Sequence, residues 1–251
     1  VILSGVKLIM NNHNFVSKIL KHCPNLDLDV NKAKFKKLAS GKTNQSFLVE
    51  DDLKKYVLRL NSKKSFNYNI DRQRELEILN SIRDKSIGPM VVYSDDAYSF
   101  LITEFIEGKP LMVDKISNQE AQGLNDLIDK YQKIEINIPR FDYLEHLKKY
   151  ETFISNNSYI NSDLSKKLDN FYPRLEDFQN QNWKPVLCHH DLSNFNIIKT
   201  NNGLRIIDWE YSAYGHVRFD KEYIRLSKSK DNFFNDFFGI LDEMWFLINN
   251  I

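Results

Sequence analysis

The segment at residues 187–220 constrains the fold more than any other part of the chain. Two apolar pairs, at 197–198 and 206–207, flank a polar run that contains Asn202 and Gly203. An Asn-Gly pair between apolar runs is a strong β-hairpin signal, because both residues tolerate a positive φ. The hairpin predicts that the residue before its first strand and the residue after its second strand lie close together.

These two residues are Asn196 and Asp208, and Asp191 precedes Asn196 by five positions on the incoming loop. Phosphoryl transfer depends on positioning and electrostatic stabilisation, with Mg²⁺ bridging the phosphates. Mg²⁺ takes oxygen ligands, so we assign Asn196 and Asp208 as candidate metal ligands. Asp191 is the candidate catalytic residue, which orients the acceptor hydroxyl and takes its proton. Each residue alone more often caps a turn, but the three in register favour a kinase.

The pattern His189-x-Asp191-x-x-x-x-Asn196, with Asp208 after the hairpin, resembles the catalytic loop and metal-binding aspartate of protein-kinase-like enzymes. Residues 207–214, Ile-Asp-Trp-Glu-Tyr-Ser-Ala-Tyr, resemble more narrowly the choline/ethanolamine kinase branch of the aminoglycoside phosphotransferase-like superfamily. Several linked motifs are more specific than any one of them.

The resemblance runs from about residue 38 to residue 220. It implies an α+β, protein-kinase-like fold with an N-terminal lobe of antiparallel sheet and one helix, and a mostly helical C-terminal lobe. It also implies structural roles for His189, which braces the catalytic loop, and for Asp220, which anchors it. The predicted parts are a nucleotide-binding lobe at 10–104, a hinge at 105–109, and a catalytic and substrate lobe at 110–251.

Local sequence patterns agree with this division. In the first part, alternating apolar residues between turn residues predict strands, and a helical stripe predicts one helix. The predicted strands are 36–39, 46–50, 55–60, 91–93 and 98–104, and the predicted helix is 71–83. In the second part, Ser117 and Glu120 form a capping-box signature that opens a helix. Further helices are predicted at 142–154 and 162–178, and the second of these is expected to be interrupted at Pro173. A strand is predicted at 184–188. A last helix has Phe234, Phe238, Leu241 and Trp245 on one face.

The resemblance predicts a basic residue on the third strand and an acidic partner on the helix of the N-terminal lobe. Alternation along strand 55–60 places Val57 and Arg59 on one side, where Arg59 would contact phosphates and Val57 the adenine. Glu75 lies on the apolar stripe of the helix, where an unpaired carboxylate is costly. We therefore predict an ion pair between Arg59 and Glu75, with an ordinary structural ion pair as the alternative.

The remaining candidate nucleotide contacts lie in a polar loop, in the hinge and on a pocket floor. The loop carries a single glycine, and taken alone it would more often be an ordinary turn. The donor implied by the resemblance is ATP, and the implied metal is Mg²⁺. The residues are Gly41, Thr43 and Asn44 in the loop, main-chain atoms of Glu104 and Ile106 in the hinge, and Ile198 and Ile207 on the floor.

The acceptor is expected to be a small alcohol. The chain contains no Ala-Pro-Glu motif, and Trp-Glu follows Asp208 where protein kinases have Phe-Gly. Choline or ethanolamine is the first expectation, with thiamine or an aminoglycoside as alternatives on the same fold. An alternative of another class is a non-catalytic, nucleotide-binding pseudokinase module. Residues 221–227 do not match the further acidic and aromatic pocket residues of choline kinases.

A quaternary ammonium group is bound by aromatic faces. Trp209, Tyr211 and Tyr214 follow the metal-binding aspartate closely, and they are the candidate substrate-binding rings. Glu210 offers either a counter-charge to the acceptor or a buried hydrogen bond of the fold. Trp245 either closes the pocket or packs in the core as part of its helical stripe.

The composition excludes several other classes. Lys and Arg number 35 against 34 Asp and Glu, so no excess charge indicates a nucleic-acid or membrane partner. No apolar run approaches the ~20 residues that span a bilayer, and the start lacks the order of a signal peptide. Cys23 and Cys188 lie far apart without metal-site spacing, which favours reduced thiols and a cytoplasmic enzyme. We assign no function to residues 1–9.

Overall fold

The computed structural model describes residues 16–17, 19–21, 23, 26–29, 32–40, 43–63, 68–226 and 232–251. Gly41 of the predicted phosphate loop lies outside the described residues. The chain forms two compact units, the first made of Val1–Lys63 with Met90–Phe105 and the second of Lys64–Pro89 with Ile106–Ile251. The second unit thus includes the helix that we placed in the N-terminal lobe, and the lobe boundaries stay a prediction.

The first unit is built on a five-stranded antiparallel sheet in the order β1-β2-β3-β5-β4. All five predicted strands are present, with ends shifted by up to two residues. Tyr56 and Leu58 are buried with Val49 and Ile102 in the core of this unit, so alternation puts Arg59 on the other face, as predicted. The strands are β1 Lys34–Ser40, β2 Asn44–Glu50, β3 Lys55–Asn61, β4 Val91–Ser94 and β5 Phe100–Glu104.

The second unit is mostly helical and carries two small sheets, β6-β8-β9 and β7-β10. Its helices are α1 Arg72–Ser81, α2 Asn118–Gln132, α3 Tyr143–Asn157, α4 Ser162–Asn180, α5 Phe219–Tyr223 and α6 Asn232–Asn249. Its strands are β6 Lys109–Pro110, β7 Val186–Cys188, β8 Ile197–Thr200, β9 Gly203–Ile206 and β10 Ala213–Gly215.

Helices α1 to α4 begin at side chains that accept hydrogen bonds from the first turn, which satisfies amides that have no partner within the helix. Asp71 caps α1, Asp142 caps α3 and Asn161 caps α4 in this way. Ser117 and Glu120 form the complete capping box of α2. This confirms the capping box that the sequence predicts.

The predicted interruption of α4 at Pro173 is wrong, because the helix continues through this residue to Asn180. A proline inside a helix costs about 3 kcal/mol relative to alanine. Burial of one large apolar side chain gains about 1.5–3 kcal/mol, and α4 buries several on one face. The packed face therefore outweighs the proline. Its buried residues are Leu164, Leu168, Phe171, Leu175 and Phe178.

Helices α3, α4 and α6 enclose the core of the second unit. The buried face of α6 is centred on Phe234, Phe237, Ile240, Met244 and Ile248. Of the predicted stripe, only Phe234 lies at this centre. Phe238, Leu241 and Trp245 are partly buried at its edge, which leaves Trp245 accessible from one side.

Both cysteines, Cys23 and Cys188, are buried free thiols, as predicted. None of the helices in the described ranges combines the length and the apolarity that crossing a lipid bilayer requires.

The interior of α2 contains Gly123, and a methyl group added there would meet no atom within 4 Å. Because glycine costs a helix about 0.5–1 kcal/mol relative to alanine, Gly123→Ala should raise the free energy of unfolding by about that amount. Gly108→Ala is the contrasting variant, since its Cβ would overlap the main-chain oxygen of Lys199. Urea denaturation of both variants measures the two effects, and a destabilised Gly123→Ala protein would contradict the open surroundings of this site.

Candidate active site

The hairpin predicted within residues 187–220 is present. Strands β8 and β9 pair with Ile197 opposite Ile206 and Thr200 opposite Gly203. The register puts residues 201–202 in the turn, one position earlier than the Asn-Gly pair. Gly203 adopts φ of 113°, and the hydroxyl of Thr200 donates to its carbonyl oxygen at 2.8 Å. The residue with a positive φ is thus Gly203, which directly follows the turn.

The hairpin brings its two flanking residues together. The main-chain amide of Ile207 donates to the carbonyl oxygen of Asn196 at 2.9 Å, so Asp208 directly follows a residue bonded to Asn196. Asp208 itself has φ of 63°, in the left-handed region that a non-glycine residue adopts uncommonly. Such strain is frequent at functional sites.

Asp191 and Asn196 are in direct contact. The side-chain amide nitrogen of Asn196 donates to the main-chain oxygen of Asp191 at 2.8 Å and to its carboxylate Oδ2 at 3.0 Å. Because the nitrogen end of the amide faces Asp191, its oxygen points the opposite way. Asn196 therefore fixes the candidate catalytic carboxylate with one end and offers an oxygen with the other.

The carboxyl group of Asp191 has a pKa raised to about 7, first by burial and then by the charge of Glu210. Hydrogen bonds from Asn196 and Tyr223 act in the opposite direction. A group with a pKa near the working pH is well suited to general-base catalysis. The environment of Asp191 therefore fits the role of a proton acceptor at neutral pH.

The loop that carries Asp191 is held by the fully buried Asp220. Its Oδ2 accepts from the main-chain amide of His189 at 2.8 Å and from the hydroxyl of Tyr131 at 2.6 Å, and its Oδ1 accepts from the amide of His190 at 3.0 Å. Three donors satisfy this buried carboxylate, as its burial requires.

The ring of His189 is also fully buried, and its Nε2 lies 3.0 Å from the carbonyl oxygen of Ile207. Burial lowers its pKa to about 4, so the ring is neutral at physiological pH. His189 thus links the loop of Asp191 to the end of the hairpin, a contact that agrees with its predicted structural role.

Glu210 is buried and its Oε2 accepts from Arg72 of α1 at 2.7 Å. The same guanidinium group reaches Glu75 at 3.0 Å. These contacts favour the structural alternative for Glu210, because a buried carboxylate needs a paired charge. Sequence reasoning missed Arg72, although its position three residues before Glu75 on one helix is a usual spacing for an ion pair. Glu75 and Arg59 belong to different units, so their predicted ion pair stays a prediction.

Trp209 does not line an acceptor pocket, contrary to the prediction. Its side chain is fully buried, and its indole nitrogen donates to the carbonyl oxygen of Ile206 at 2.9 Å. Its ring packs edge-on against Tyr131 and His189, with centroid distances of 5.4 and 4.9 Å. Trp209 is a core residue.

The structure also disagrees with the predicted place of Tyr214 beside the acceptor. Its hydroxyl accepts from the main-chain amide of Ile136 at 2.7 Å. The side chain lines a cavity whose other walls include Asp129 and Lys184 and which contains no residue of the catalytic loop. Tyr214 thus lines a different cavity from Ser193 and Asn194 of the catalytic loop.

Tyr211 and Trp245 belong to an aromatic cluster, which we define as Tyr68, Tyr150, Tyr211 and Trp245. The hydroxyl of Tyr150 donates to that of Tyr211 at 3.3 Å. The ring of Trp245 stacks on Tyr150 and meets Tyr68 edge-on, each at 5.9 Å between centroids. Tyr68 and Tyr150 are buried, whereas Tyr211 and Trp245 are partly exposed. Sequence reasoning missed the two buried members.

The charge of Asp191 acts on two members of the aromatic cluster, Tyr150 and Tyr211. Burial raises the pKa of Tyr150 and of Tyr211, and the charge of Asp191 raises both further. Tyr150 and Tyr211 are therefore the members of the cluster on which the charge of Asp191 acts.

The candidate nucleotide contacts are divided between the two units, and their joint site stays a prediction. In the first unit, Arg59 is buried, and its Nε donates to the side-chain oxygen of Asn61 at 3.0 Å. The amide of Glu104 donates to the carbonyl oxygen of Met90 at 3.0 Å. The first unit holds Thr43, Asn44, Val57, Arg59 and Glu104, and the second holds Glu75, Ile106, Ile198 and Ile207.

The donor set at the end of the hairpin fits Mg²⁺. No group of three or more His, Cys, Asp or Glu side chains suited to a metal lies among the residues that the structure describes. Mg²⁺ in phosphate-transfer sites is held by one or two carboxylates together with water and phosphate oxygens. The carboxylate of Asp208 and the outward amide oxygen of Asn196 match this requirement.

Three comparisons place the chain among known proteins. The family described as choline/ethanolamine kinase matches residues 35–222. A relative named Protein LicA homolog, from Mycoplasma capricolum subsp. capricolum, is 23% identical over 220 residues, which cover 86% of this chain and 84% of the relative. The crystal structure of the choline kinase LicA from Streptococcus pneumoniae has a TM-score of 0.71 at 20% identity, over 94% of this chain and 88% of that chain.

A further crystal structure, of LicA in complex with AMP, has a TM-score of 0.65 at 21% identity, over 86% of this chain and 83% of that chain. At these identities the structural likeness concerns the fold. It confirms the predicted α+β, protein-kinase-like fold with an antiparallel sheet in one part and helices in the other.

Proposed function

The chain belongs to the choline/ethanolamine kinase family, and from this premise we propose that it transfers the γ-phosphoryl group of ATP to the hydroxyl of choline, with Mg²⁺ as cofactor. The observation that carries the proposal is the contact of Asp191 with Asn196, which is itself bonded through its main chain to the residue before Asp208. These contacts support a shared site for the three polar residues of the phosphoryl-transfer pattern.

Asp191 is the proton acceptor in this proposal. The alcohol donates its hydroxyl hydrogen to the carboxylate while its oxygen forms the new bond to the γ-phosphorus and the bond to ADP breaks. Asn196 keeps the carboxylate oriented through its Oδ2. Positioned general bases contribute about 10²–10⁴ in rate, and the pKa of Asp191 near 7 suits this task.

Asp208 and the amide oxygen of Asn196 would hold Mg²⁺. When bound, the metal ion neutralises charge on the phosphate oxygens. Arg59, on the face of β3 opposite to the core of the first unit, is proposed to contact the phosphates. The AMP bound to the LicA structure supports an adenine nucleotide as the donor.

The aromatic cluster supports choline among the possible acceptors. A quaternary ammonium group has no hydrogen to donate, so ring faces bind it better than isolated hydrogen-bond acceptors do. Tyr211 and Trp245 present partly exposed rings, and the charge of Asp191 acts on Tyr211. Choline separates its hydroxyl from its ammonium group by two carbon atoms. The similarity to the structure of a choline kinase, LicA, supports this assignment.

The primary test is phosphorylation of candidate alcohols by the purified protein with ATP and Mg²⁺. We expect phosphocholine as the product and a lower kcat/KM for ethanolamine. If neither alcohol is phosphorylated at a rate above ATP hydrolysis by water, the proposed function is wrong.

Tyr211→Ala should raise the KM for choline about 30-fold and leave the KM for ATP nearly unchanged. A desolvated cation–π contact contributes about 2 kcal/mol, which corresponds to roughly 30-fold in affinity. Tyr211→Phe is the matched control, because it keeps the ring face and loses only the hydroxyl that accepts from Tyr150. Steady-state kinetics with both variants measure the difference.

The uncharged isostere of choline, 3,3-dimethylbutanol, provides the complementary substrate. It should be a much poorer acceptor than choline for the wild-type protein. Equal use of both alcohols, or an unchanged KM for choline in Tyr211→Ala, would contradict recognition of a cation by this ring.

A further inference from the structure

The end of the short helix α5 lies beside the catalytic carboxylate. The hydroxyl of Tyr223 donates to Oδ1 of Asp191 at 3.4 Å, while Oδ2 accepts from Asn196 at 3.0 Å. Each carboxylate oxygen therefore has its own protein donor. Neither donor occupies all the lone pairs of its oxygen, so Oδ1 keeps room for the hydroxyl of an acceptor.

We propose that Tyr223 is a positioning residue for phosphoryl transfer, whose hydroxyl turns Oδ1 of Asp191 toward a cavity through which the alcohol enters. The cavity has a volume of about 950 Å³. Its walls include Ser193 and Asn194 of the catalytic loop, Tyr223 itself, and Phe238 and Asp242 of α6. This assignment rests on the proposed kinase function.

The cavity and the carboxylate meet at Tyr223. Its side chain is partly exposed and lines the cavity, and its hydroxyl reaches the oxygen of Asp191 that Asn196 leaves without a contact. Tyr223 therefore connects the wall of the cavity with Oδ1 of Asp191.

The ring of Tyr223 is held without help from its hydroxyl. It is nearly parallel to Phe219, at 6.5 Å between centroids, and meets Phe238 edge-on at 5.1 Å. Burial, and then the charge of Asp191, raise the pKa of Tyr223, so the phenol stays protonated and remains a donor. Tyr223→Phe therefore removes one hydrogen bond and leaves the packing in place.

The test is the single-turnover rate of phosphoryl transfer to choline by Tyr223→Phe. We expect a rate about threefold to tenfold below that of the wild-type protein, the range that follows from loss of one hydrogen bond. The KM for ATP should stay within about twofold, because the hydroxyl that Tyr223→Phe removes donates to the carboxylate that meets the alcohol. A purely structural tyrosine would lower stability and leave the rate of the folded protein unchanged.

The matched control is Tyr172→Phe. The hydroxyl of Tyr172 on α4 also donates to a carboxylate, that of Glu151 on α3, but this pair lies outside the catalytic loop and the cavity. The control variant should transfer phosphate at the wild-type rate.

The outcomes separate this inference from the proposed function. If the wild-type protein phosphorylates choline and Tyr223→Phe does so equally fast, the positioning role is wrong and the kinase assignment stands. An equal loss of rate in both variants also overturns the positioning role. If the wild-type protein phosphorylates neither choline nor ethanolamine, the proposed function fails, and the role of Tyr223 fails with it.

Discussion

Asp191→Asn is expected to lower kcat by about 10²–10⁴, the usual contribution of a positioned general base. Asparagine has nearly the same shape, so the loop and its contact with Asn196 survive, but the amide cannot take the proton of the alcohol. ATP is bound elsewhere in the proposed site, so its affinity should change little. Single-turnover kinetics and titration calorimetry with a non-hydrolysable ATP analogue measure the two quantities separately.

Asp129→Asn is a suitable control for this variant. The carboxylate of Asp129 pairs with Lys221 at 2.6 Å and is half exposed, and exposed ion pairs contribute about 1 kcal/mol or less. Its kcat should stay within about twofold of the wild-type value. Asp191 has no catalytic role if the Asn variant keeps more than a tenth of wild-type turnover.

Asp208→Ala should abolish activity at every accessible Mg²⁺ concentration, whereas Asn196→Ala should recover part of its activity as Mg²⁺ is raised. A carboxylate binds a hard dication more strongly than a neutral amide does, so its loss is harder to offset by mass action. Activity measured against Mg²⁺ concentration, together with direct Mn²⁺ binding by electron paramagnetic resonance, compares the two variants.

Recovery of Asn196→Ala should remain incomplete, because its side-chain nitrogen also donates to the carboxylate and to the main chain of Asp191. Added metal restores the metal site and leaves the orientation of Asp191 unrestored. Equal recovery of both variants, or of neither, would mean that other residues hold the metal ion.

The hairpin at the candidate site was predictable because its signal is local. Asp191, Asn196 and Asp208 lie within 18 residues of each other, and the hairpin that joins them depends on turn chemistry that sequence alone reveals. The exact register of the hairpin could not be predicted, because the pairing of the strands puts the turn one residue before the Asn-Gly pair. The continuation of α4 through Pro173 was beyond local reasoning, since tertiary packing outweighs helix propensity there.

The residues around the catalytic segment were predicted less well. Trp209 and Tyr214 follow Asp208 closely in sequence, but the direction of a side chain after a tight turn depends on what the core accepts. Arg72, Tyr150 and Tyr223 come from three separate helices, so no spacing rule connects them with Asp191. Their contribution follows only from the way the helices pack.

The buried carboxylate of Asp220 accepts hydrogen bonds from the amides of His189 and His190. A loop whose amides are fixed in this way has little conformational entropy left to lose, so under the proposed function the binding of the alcohol would carry little cost of loop ordering. Tyr131 of α2 fixes the same carboxylate from within the core. The conformation of this loop is therefore fixed by contacts with the core of the second unit. We expect the loop to lose its conformation only when this core unfolds.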